Sequence, residues 1–273
     1  MPMLPSVPGG TAAMLDLGMV GDPSEEAGVT DVAVGGSCRT HTAVVAAAAV
    51  ALGLLAFAAD FVAGGVGQVL IALTSSGFAW GLAAFLAGRS AATAKRAVGS
   101  ATALLVLATL LYYLLVLMVS RRWSGGTLED GTSADLLGLR SIAMMTALWL
   151  TGSLVGGPVL GLLGHIVRVG KVSTSALAAG TVCGLLSGEG WQAVMLAPPW
   201  QMLTVSDPYQ AEFFRGVVVG ELVKIVLPIV VLAWLGTAHR LWRVWPTLLT
   251  AAISSGALSA ALWYVLYAAA NGI

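Results

Sequence analysis

The chain has 273 residues, of which 58% are hydrophobic and 10% are charged, and its 13 basic residues balance 13 acidic ones. Ordinary soluble domains contain about 25% charged residues, and the mean hydropathy here is +0.91. The composition therefore excludes a typical soluble domain and predicts an integral membrane protein. A net charge of zero gives no basis for a nucleic-acid partner. The two cysteines, Cys38 and Cys183, form neither a disulfide framework nor a zinc ligand set.

The first 42 residues are rich in Gly, Ser, Pro and acidic residues and contain one basic residue, Arg39. Such a composition cannot bury a hydrophobic core. It predicts a disordered tail over 1–42, followed by one membrane domain over 43–273. A secretory signal peptide is not expected, because the first apolar run begins late and has no basic flank at the amino terminus.

Seven apolar segments follow the tail, each close to the roughly 20 residues that a membrane-crossing helix needs. They are predicted at 43–63, 67–88, 97–119, 141–165, 173–197, 216–236 and 246–269. The fold class is therefore expected to be all-α, a seven-transmembrane-helix bundle. Only Gly64, Gly65 and Gly67 separate the first two segments, so the competing count is six spans with one segment re-entrant.

The basic residues near the segment ends predict the orientation, because Lys and Arg are enriched on the cytoplasmic side. The side of the tail carries eight of them: Arg39, Arg89, Lys95, Arg96, Arg168, Lys171, Arg240 and Arg243. The opposite side carries four: Arg121, Arg122, Arg140 and Arg215. We therefore expect a multi-pass protein of the cell membrane with a cytoplasmic amino terminus.

The fifth segment contains Gly180, Gly184 and Gly188, followed directly by Glu189. Residues four apart share one face of a helix, and glycines there allow a neighbouring helix to approach closely. A carboxylate at this depth costs roughly 2.5 kcal/mol or more unless it is paired, protonated or facing a cavity. Glu189 is therefore a candidate functional residue.

If successive segments cross the membrane in alternating directions, most of their polar and aromatic residues lie at a similar depth. That depth is in the half of the membrane opposite the tail. This predicts a chamber with two or three carboxyl groups, drawn from Glu189, Glu221 and Asp60. Its walls are predicted to contain Trp80, Tyr112, Tyr113, Trp149, Trp191, Gln192, Trp263 and Tyr264. The alternative is an interfacial aromatic belt with a few hydrogen bonds between helices.

A carboxyl group in a water-poor chamber can keep its proton at neutral pH and act as a general acid on olefins or epoxides. Aromatic faces stabilise nearby positive charge by about 0.5–2 kcal/mol each. These are the requirements of a carbocation cyclisation that begins with protonation. In this hypothesis Glu189 is the general acid, and Asp60 or Glu221 is its partner or the final base. Lys224 lies one turn after Glu221, so these two form an ion pair in the competing, structural interpretation.

Hydrolase and metal-dependent activities are not expected. The sequence has no aspartate-rich run that would hold Mg²⁺ on a diphosphate, and no P-loop, zinc-protease or Ser/His/Asp pattern. We expect neither a metal nor another cofactor. The expected partners are the lipid bilayer and a lipophilic isoprenoid substrate.

Several stretches resemble a family of small multi-helix actinobacterial membrane proteins of unknown function. They are Leu73–Trp80 followed by Phe85, the pair Tyr112 and Tyr113, Gly156–Gly164 with Arg168, and Ser187–Trp191. The resemblance covers about 45–270 and implies no activity.

In size, helix count and intramembrane acids the chain also resembles the small seven-helix integral-membrane terpene cyclases of meroterpenoid, indole-terpenoid and drimane-type pathways. No single motif carries this second resemblance. It implies a metal-independent, protonation-initiated cyclase that acts on a polyprenyl or prenylated substrate.

Two other functions are consistent with the same residues. In a transporter or a substrate-binding membrane subunit, Glu189, Glu221 and Lys224 would form a polar site for a solute or a proton. In a non-enzymatic accessory membrane protein, substitution of these residues would produce no chemical phenotype.

Overall fold

The computed structural model describes the backbone of residues 23–127, 131–204 and 207–271, and the side chains of 40–127, 131–204, 207 and 210–268. The chain divides into two compact units, Met1–Thr40 and His41–Ile273. The second unit contains the helical bundle and is the one described below. The predicted disorder of 1–42 falls mostly outside the described residues and stays a prediction, although helix is assigned from Pro23 onward.

The described residues form nine α-helices. They are α1 (Pro23–Ala59), α2 (Gly64–Thr74), α3 (Gly77–Ser90), α4 (Ala94–Leu115), α5 (Asp135–Val169), α6 (Val172–Leu196), α7 (Pro199–Met202), α8 (Pro208–Ala238) and α9 (Trp245–Asn271). A π-helical turn, Val116–Ser120, extends α4, and a 3₁₀ turn, Leu241–Val244, precedes α9. The all-α prediction is confirmed for this part of the chain, where no strand is found beyond one isolated bridge, Thr127 to Ser133.

Within the described residues, six helical segments are long and apolar enough to cross a membrane, one fewer than predicted. They are Thr40–Ala59, Gly64–Ser90, Ala94–Ser120, Asp135–Val169, Gln210–Ala238 and Leu241–Ala268. The protein is therefore a multi-pass membrane protein. The predicted segment that is not apolar enough is α6, which contains five glycines and serines between Gly180 and Gly190 together with Glu189 and Gln192.

Helix α6 is less apolar than its neighbours because it lies inside the bundle. It packs most extensively against α9 and also contacts α8 and α5. More than half of its side chains are buried, including polar ones such as Ser187 and Gln192. A helix that protein surrounds has no need to present a continuous apolar surface to lipid.

The glycine ridge of α6 is the contact surface for α9, as the sequence predicts. A Cβ at Gly184 would overlap the carbonyl oxygen of Ala252, and one at Gly188 would overlap the side chain of Ser259. Close approach allows two hydrogen bonds between the helices, because the hydroxyl of Ser255 donates to the Thr181 carbonyl (3.1 Å) and that of Ser259 to the Leu185 carbonyl (2.9 Å).

The second predicted span is a broken helix. Helix α2 ends at Thr74 and α3 begins at Gly77, so Ser75 and Ser76 interrupt an otherwise apolar segment. Ser76 is the N-cap of α3, with its hydroxyl accepting from the backbone N–H of Ala79 (3.4 Å). Helix α2 packs against α8, whereas α3 packs against α4 and α5. The break therefore joins two groups of helices.

Candidate functional site

Three ionisable side chains from two helices meet beside the break in the α2–α3 span. Lys224 of α8 donates to Glu189 Oε1 of α6 (2.7 Å) and to Glu221 Oε1, three residues earlier on α8 (2.9 Å). The side chains are 12% exposed for Lys224 and 20% exposed for each glutamate. We call these three residues the ion cluster.

Helix α3 contributes its amino-terminal end to the ion cluster. The backbone N–H of Gly77, the first residue of α3, donates to Glu189 Oε2 (2.9 Å). The first N–H groups of a helix lack partners within the helix and carry partial positive charge, so they bind anionic groups. Both oxygens of Glu189 are thus engaged by donors from other helices, whereas Glu221 Oε2 is buried without a hydrogen-bond partner among the described residues.

The ion pair between Glu221 and Lys224, predicted from their spacing, is present. Glu189 has no basic residue within one turn of its own helix, and its basic partner, Lys224, reaches it from a different helix. Glu189 and Glu221 do meet, as the chamber hypothesis requires, but an ammonium group lies between them.

Asp60 lies in a different cluster and is not the partner of Glu189. It follows the end of α1, and its Oδ2 accepts from the hydroxyl of Tyr112 (2.8 Å) and from Arg122 Nη1 (3.2 Å). Arg122 also lies over the ring of Phe61, 5.8 Å from the ring centroid. With an arginine already paired to its carboxylate, Asp60 has the contacts of a residue that holds helix ends together.

Four of the predicted wall residues line one small hollow, which we call the aromatic pocket. Its volume is about 110 Å³, and its lining consists of Ala56, Ser75, Trp80, Thr109, Tyr112, Tyr113 and Trp149. The indole N–H of Trp80 donates to the Thr74 carbonyl (2.9 Å), so this side chain bridges the break between α2 and α3. The hydroxyl of Ser75 is buried without a partner among the described residues.

A second, larger hollow, which we call the lateral groove, lies on the bundle surface between α5 and α9. Its volume is about 540 Å³, and Glu189, Gly77 and Trp263 form its polar end. Apart from Ser259, the rest of its lining is apolar and includes Val155, Val159, Leu160, Leu185, Leu262 and Leu266. Val155 is 64% exposed and Leu262 54% exposed, so the groove is open on the outer surface of the bundle.

The chamber predicted from sequence is thus two hollows on either side of a tryptophan pair. Trp149 from the aromatic pocket and Trp263 from the lateral groove have ring centroids 6.2 Å apart. The remaining predicted wall residues do not line either hollow. Trp191 (43% exposed) and Tyr264 (55% exposed) are on the outside of the bundle, and Gln192 is buried within α6.

A third polar cluster lies at the opposite end of the bundle, where α3 and α8 end. Arg89 Nη2 lies 3.1 Å from His239 Nε2, and its guanidinium lies over the ring of Trp234, 5.1 Å from the centroid. Burial and the positive charge of Arg89 both lower the pKa of His239. These contacts favour the neutral imidazole as a hydrogen-bond acceptor.

The fold and these clusters define a multi-pass helical membrane protein with a charged cluster inside its bundle. Comparison with protein-family models, with curated proteins and with solved structures finds no match for the chain. The two resemblances noted from the sequence therefore stay predictions.

Proposed function

We propose that this protein is a small-solute or proton-coupled membrane transporter, or the substrate-binding membrane subunit of one. The ion cluster is its binding site. One observation carries the proposal: two carboxylates, Glu189 and Glu221, share the single ammonium group of Lys224 inside the bundle. Ionisable groups at this depth are costly, and those that occur in membrane proteins commonly belong to proton or substrate pathways.

The charge of the ion cluster supports binding of one further positive charge. With all three side chains ionised the cluster carries a net charge of −1, and a proton or a cation would bring it to zero. Uncompensated charge is unfavourable in a low-dielectric environment. Glu221 Oε2, buried and without a partner among the described residues, is the open acceptor in this arrangement.

The helices around Glu189 contribute few other titratable groups. Helix α8 also has Tyr209, Glu212 and Arg215, all at least six residues before Glu221, and α6 has Cys183, six residues before Glu189. Helix α2 has none, α3 has Arg89 in its last turn, and α9 has Tyr264 and Tyr267. Those of α5 are Asp135, Arg140, His165 and Arg168, all within the first six or last five residues of the helix. Proton binding near Glu189 would therefore be governed by Glu189, Glu221 and Lys224.

The broken span supports a transport function. Discontinuous membrane helices, with their half-helix amino termini directed at anionic groups, are a recurring way to build transporter sites. Here the break at Ser75 and Ser76 separates α2, which packs on α8, from α3, which packs on α4 and α5. Gly77 of α3 and Lys224 of α8 belong to different groups and both donate to Glu189. Movement between the groups would change the distance between these two donors, and so couple occupancy of the site to conformation.

A metal-independent, protonation-initiated terpene cyclase is the second candidate, favoured by the apolar lateral groove that ends at Glu189. As general acid Glu189 would have to donate a proton. In the present arrangement both of its oxygens accept hydrogen bonds, from Lys224 and from Gly77. The cyclase would therefore require Glu189 to exchange these contacts before catalysis.

Reconstitution into vesicles tests the proposal. A pH-sensitive dye inside the vesicles should report proton movement when organic cations are added to one side, and Glu189→Gln and Lys224→Met should abolish it. Asp135→Asn is the control, because this carboxylate contacts the backbone N–H of Gly125 at the bundle surface. If the vesicles convert farnesyl-bearing compounds to cyclic products without added cations, that result would instead support the cyclase.

We also propose that the protein resides in the cell membrane with a cytoplasmic amino terminus. Eight basic residues are predicted on the side of the amino terminus and four on the opposite side, and basic residues are enriched on the cytoplasmic side. Cysteine-accessibility labelling in intact cells tests this orientation. A cysteine at Lys171 should be protected from an impermeant reagent, and one at Arg140 should react.

A further inference from the structure

We infer that the lateral groove binds the hydrocarbon tail of a lipid-soluble amine, with the protonated amino group of the ligand at Glu189. The inference rests on the proposed function, because it names the substrate class of the ion cluster. Its basis is the combination, in one open hollow, of an apolar wall and a carboxylate that belongs to a cluster of net negative charge.

The polar end of the groove is built for a cation. Glu189 Oε2 and the ring of Trp263 converge next to Gly77, since a Cβ at Gly77 would lie 3.1 Å from that oxygen and 3.2 Å from the ring. A carboxylate oxygen can accept more than one hydrogen bond, so Glu189 Oε2 can accept from an ammonium group as well as from Gly77. An indole ring adds cation–π attraction for a cation that lies over its face.

The charge of the cluster selects among head groups. A protonated amine would bring Glu189, Glu221 and Lys224 to net neutrality, a carboxylate would increase the negative charge to −2, and an alcohol would leave it unchanged. Electrostatic complementarity therefore favours the amine. The volume of about 540 Å³ is within the range of roughly 300–1,000 Å³ typical of small-molecule sites.

The α5 wall of the groove leaves room for the tail. Gly152 and Gly156 line it, and a Cβ at either position would meet no atom within 4 Å. A larger side chain at Gly156 would therefore fill the groove without displacing protein. Gly99 of α4 also has open space around its Cβ position and lies outside the groove, which makes it a matched control.

Photolabelling of the full chain in lipid nanodiscs tests the inference. The probes are decylamine, decanol and decanoate, each with a diazirine at the end of the tail, and the labelled segments are identified by mass spectrometry. We expect the amine to label α5 and α9 around Gly156 and Leu262 about tenfold more strongly than the alcohol, a difference of roughly 1.4 kcal/mol. Equal labelling by all three probes, or preference for decanoate, would overturn the inference.

Three variants, one of them a control, complete the test. Gly156→Leu should reduce labelling by the amine about tenfold, and Gly99→Leu should leave it unchanged. Glu189→Gln should remove the preference for amine over alcohol, and if this variant does not fold, Gly156→Leu decides. Groove labelling without amine or proton flux in vesicles would refute the transporter while keeping the site. Flux of other cations without groove labelling would refute the amine site while keeping the transporter.

Discussion

Glu189 and Lys224 come from different helices, and Glu189 Oε1 lies 2.7 Å from Lys224 Nζ. This contact joins α6 to α8, and the bond between Glu189 Oε2 and Gly77 joins α6 to α3. One carboxylate therefore connects three segments of the bundle.

Lys224→Met should destabilise the folded protein. The substitution leaves two partly buried carboxylates without their shared cation, and breaking a buried ion pair costs about 3–5 kcal/mol. Thermal unfolding in detergent should show a clear loss in Tm, with Lys171→Met, at an exposed position before α6, as the control. Adding Glu189→Gln and Glu221→Gln should recover part of the loss, and a triple variant no more stable than the single one would contradict this account.

The two glutamates should differ in their effect on stability. Glu189 accepts from Lys224 and from Gly77, whereas Glu221 has Lys224 alone and a second oxygen without a partner among the described residues. Glu189→Gln should therefore lower the Tm more than Glu221→Gln, since hydrogen bonds to charged groups contribute about 1.5–3 kcal/mol each. The same unfolding measurement checks the order, which the reverse ranking would disprove.

The α6–α9 interface offers a matched pair of glycines. A Cβ at Gly184 would overlap the Ala252 carbonyl, whereas one at Gly256 would lie 3.5 Å from the Cα of Gly184, an ordinary contact. Gly184→Ala should thus destabilise the protein by about 1–3 kcal/mol, the range for overpacked sites, and Gly256→Ala should be nearly neutral. Equal unfolding midpoints for the two variants would show that the interface is looser than described.

Trp80→Phe should loosen the break between α2 and α3. The substitution keeps an aromatic ring but removes the N–H that donates to the Thr74 carbonyl across the break. We expect a cost of about 1 kcal/mol and faster hydrogen exchange at the amides of 75–77. Exchange that rises equally throughout the bundle would indicate global destabilisation and would argue against a local role.

Acidification should weaken the contact between Arg89 and His239. Burial and the charge of Arg89 lower the pKa of His239, so the unfolded chain binds this proton more readily than the folded chain. The stabilising contribution is therefore fully present above about pH 6.5, the ordinary histidine value, and is lost as the pH falls toward the folded-state pKa. His239→Gln keeps an acceptor for Arg89 but does not titrate. Its Tm should fall less than that of the original protein between about pH 7.5 and about pH 5, a range that includes the ordinary histidine pKa and extends below it. Parallel curves would exclude this contact as the cause.

The sequence predicts those features that depend on spacing along one helix. The ridge of Gly180, Gly184 and Gly188 and the pairing of Glu221 with Lys224 both follow from helical periodicity. The contact of Glu189 with Lys224 could not be predicted, because it depends on which faces α6 and α8 turn toward each other. That relationship is a property of the assembled bundle.

The break in the second span was missed for a different reason. Its apolar character continues through Ile71, Ala72 and Leu73 into Phe78 and Ala79, so hydropathy alone favours one helix over 67–88. The local signal was present in Thr74, Ser75, Ser76 and Gly77, since serine is a preferred N-cap residue. The predicted count of seven spans includes α6, whose glycines and serines make it less apolar than its neighbours, so it is not among the six segments apolar enough to cross a membrane.

The composition of α6 has a consequence for biogenesis. At 25 residues, or about 37 Å at 1.5 Å per residue, α6 could span the hydrocarbon layer, but its polar content disfavours insertion on its own. The helix that covers its glycine ridge, α9, leaves the ribosome after α6. Stable integration of α6 must therefore wait until α9 has been synthesised, so truncation before Trp245 should leave the nascent chain exposed to membrane proteases.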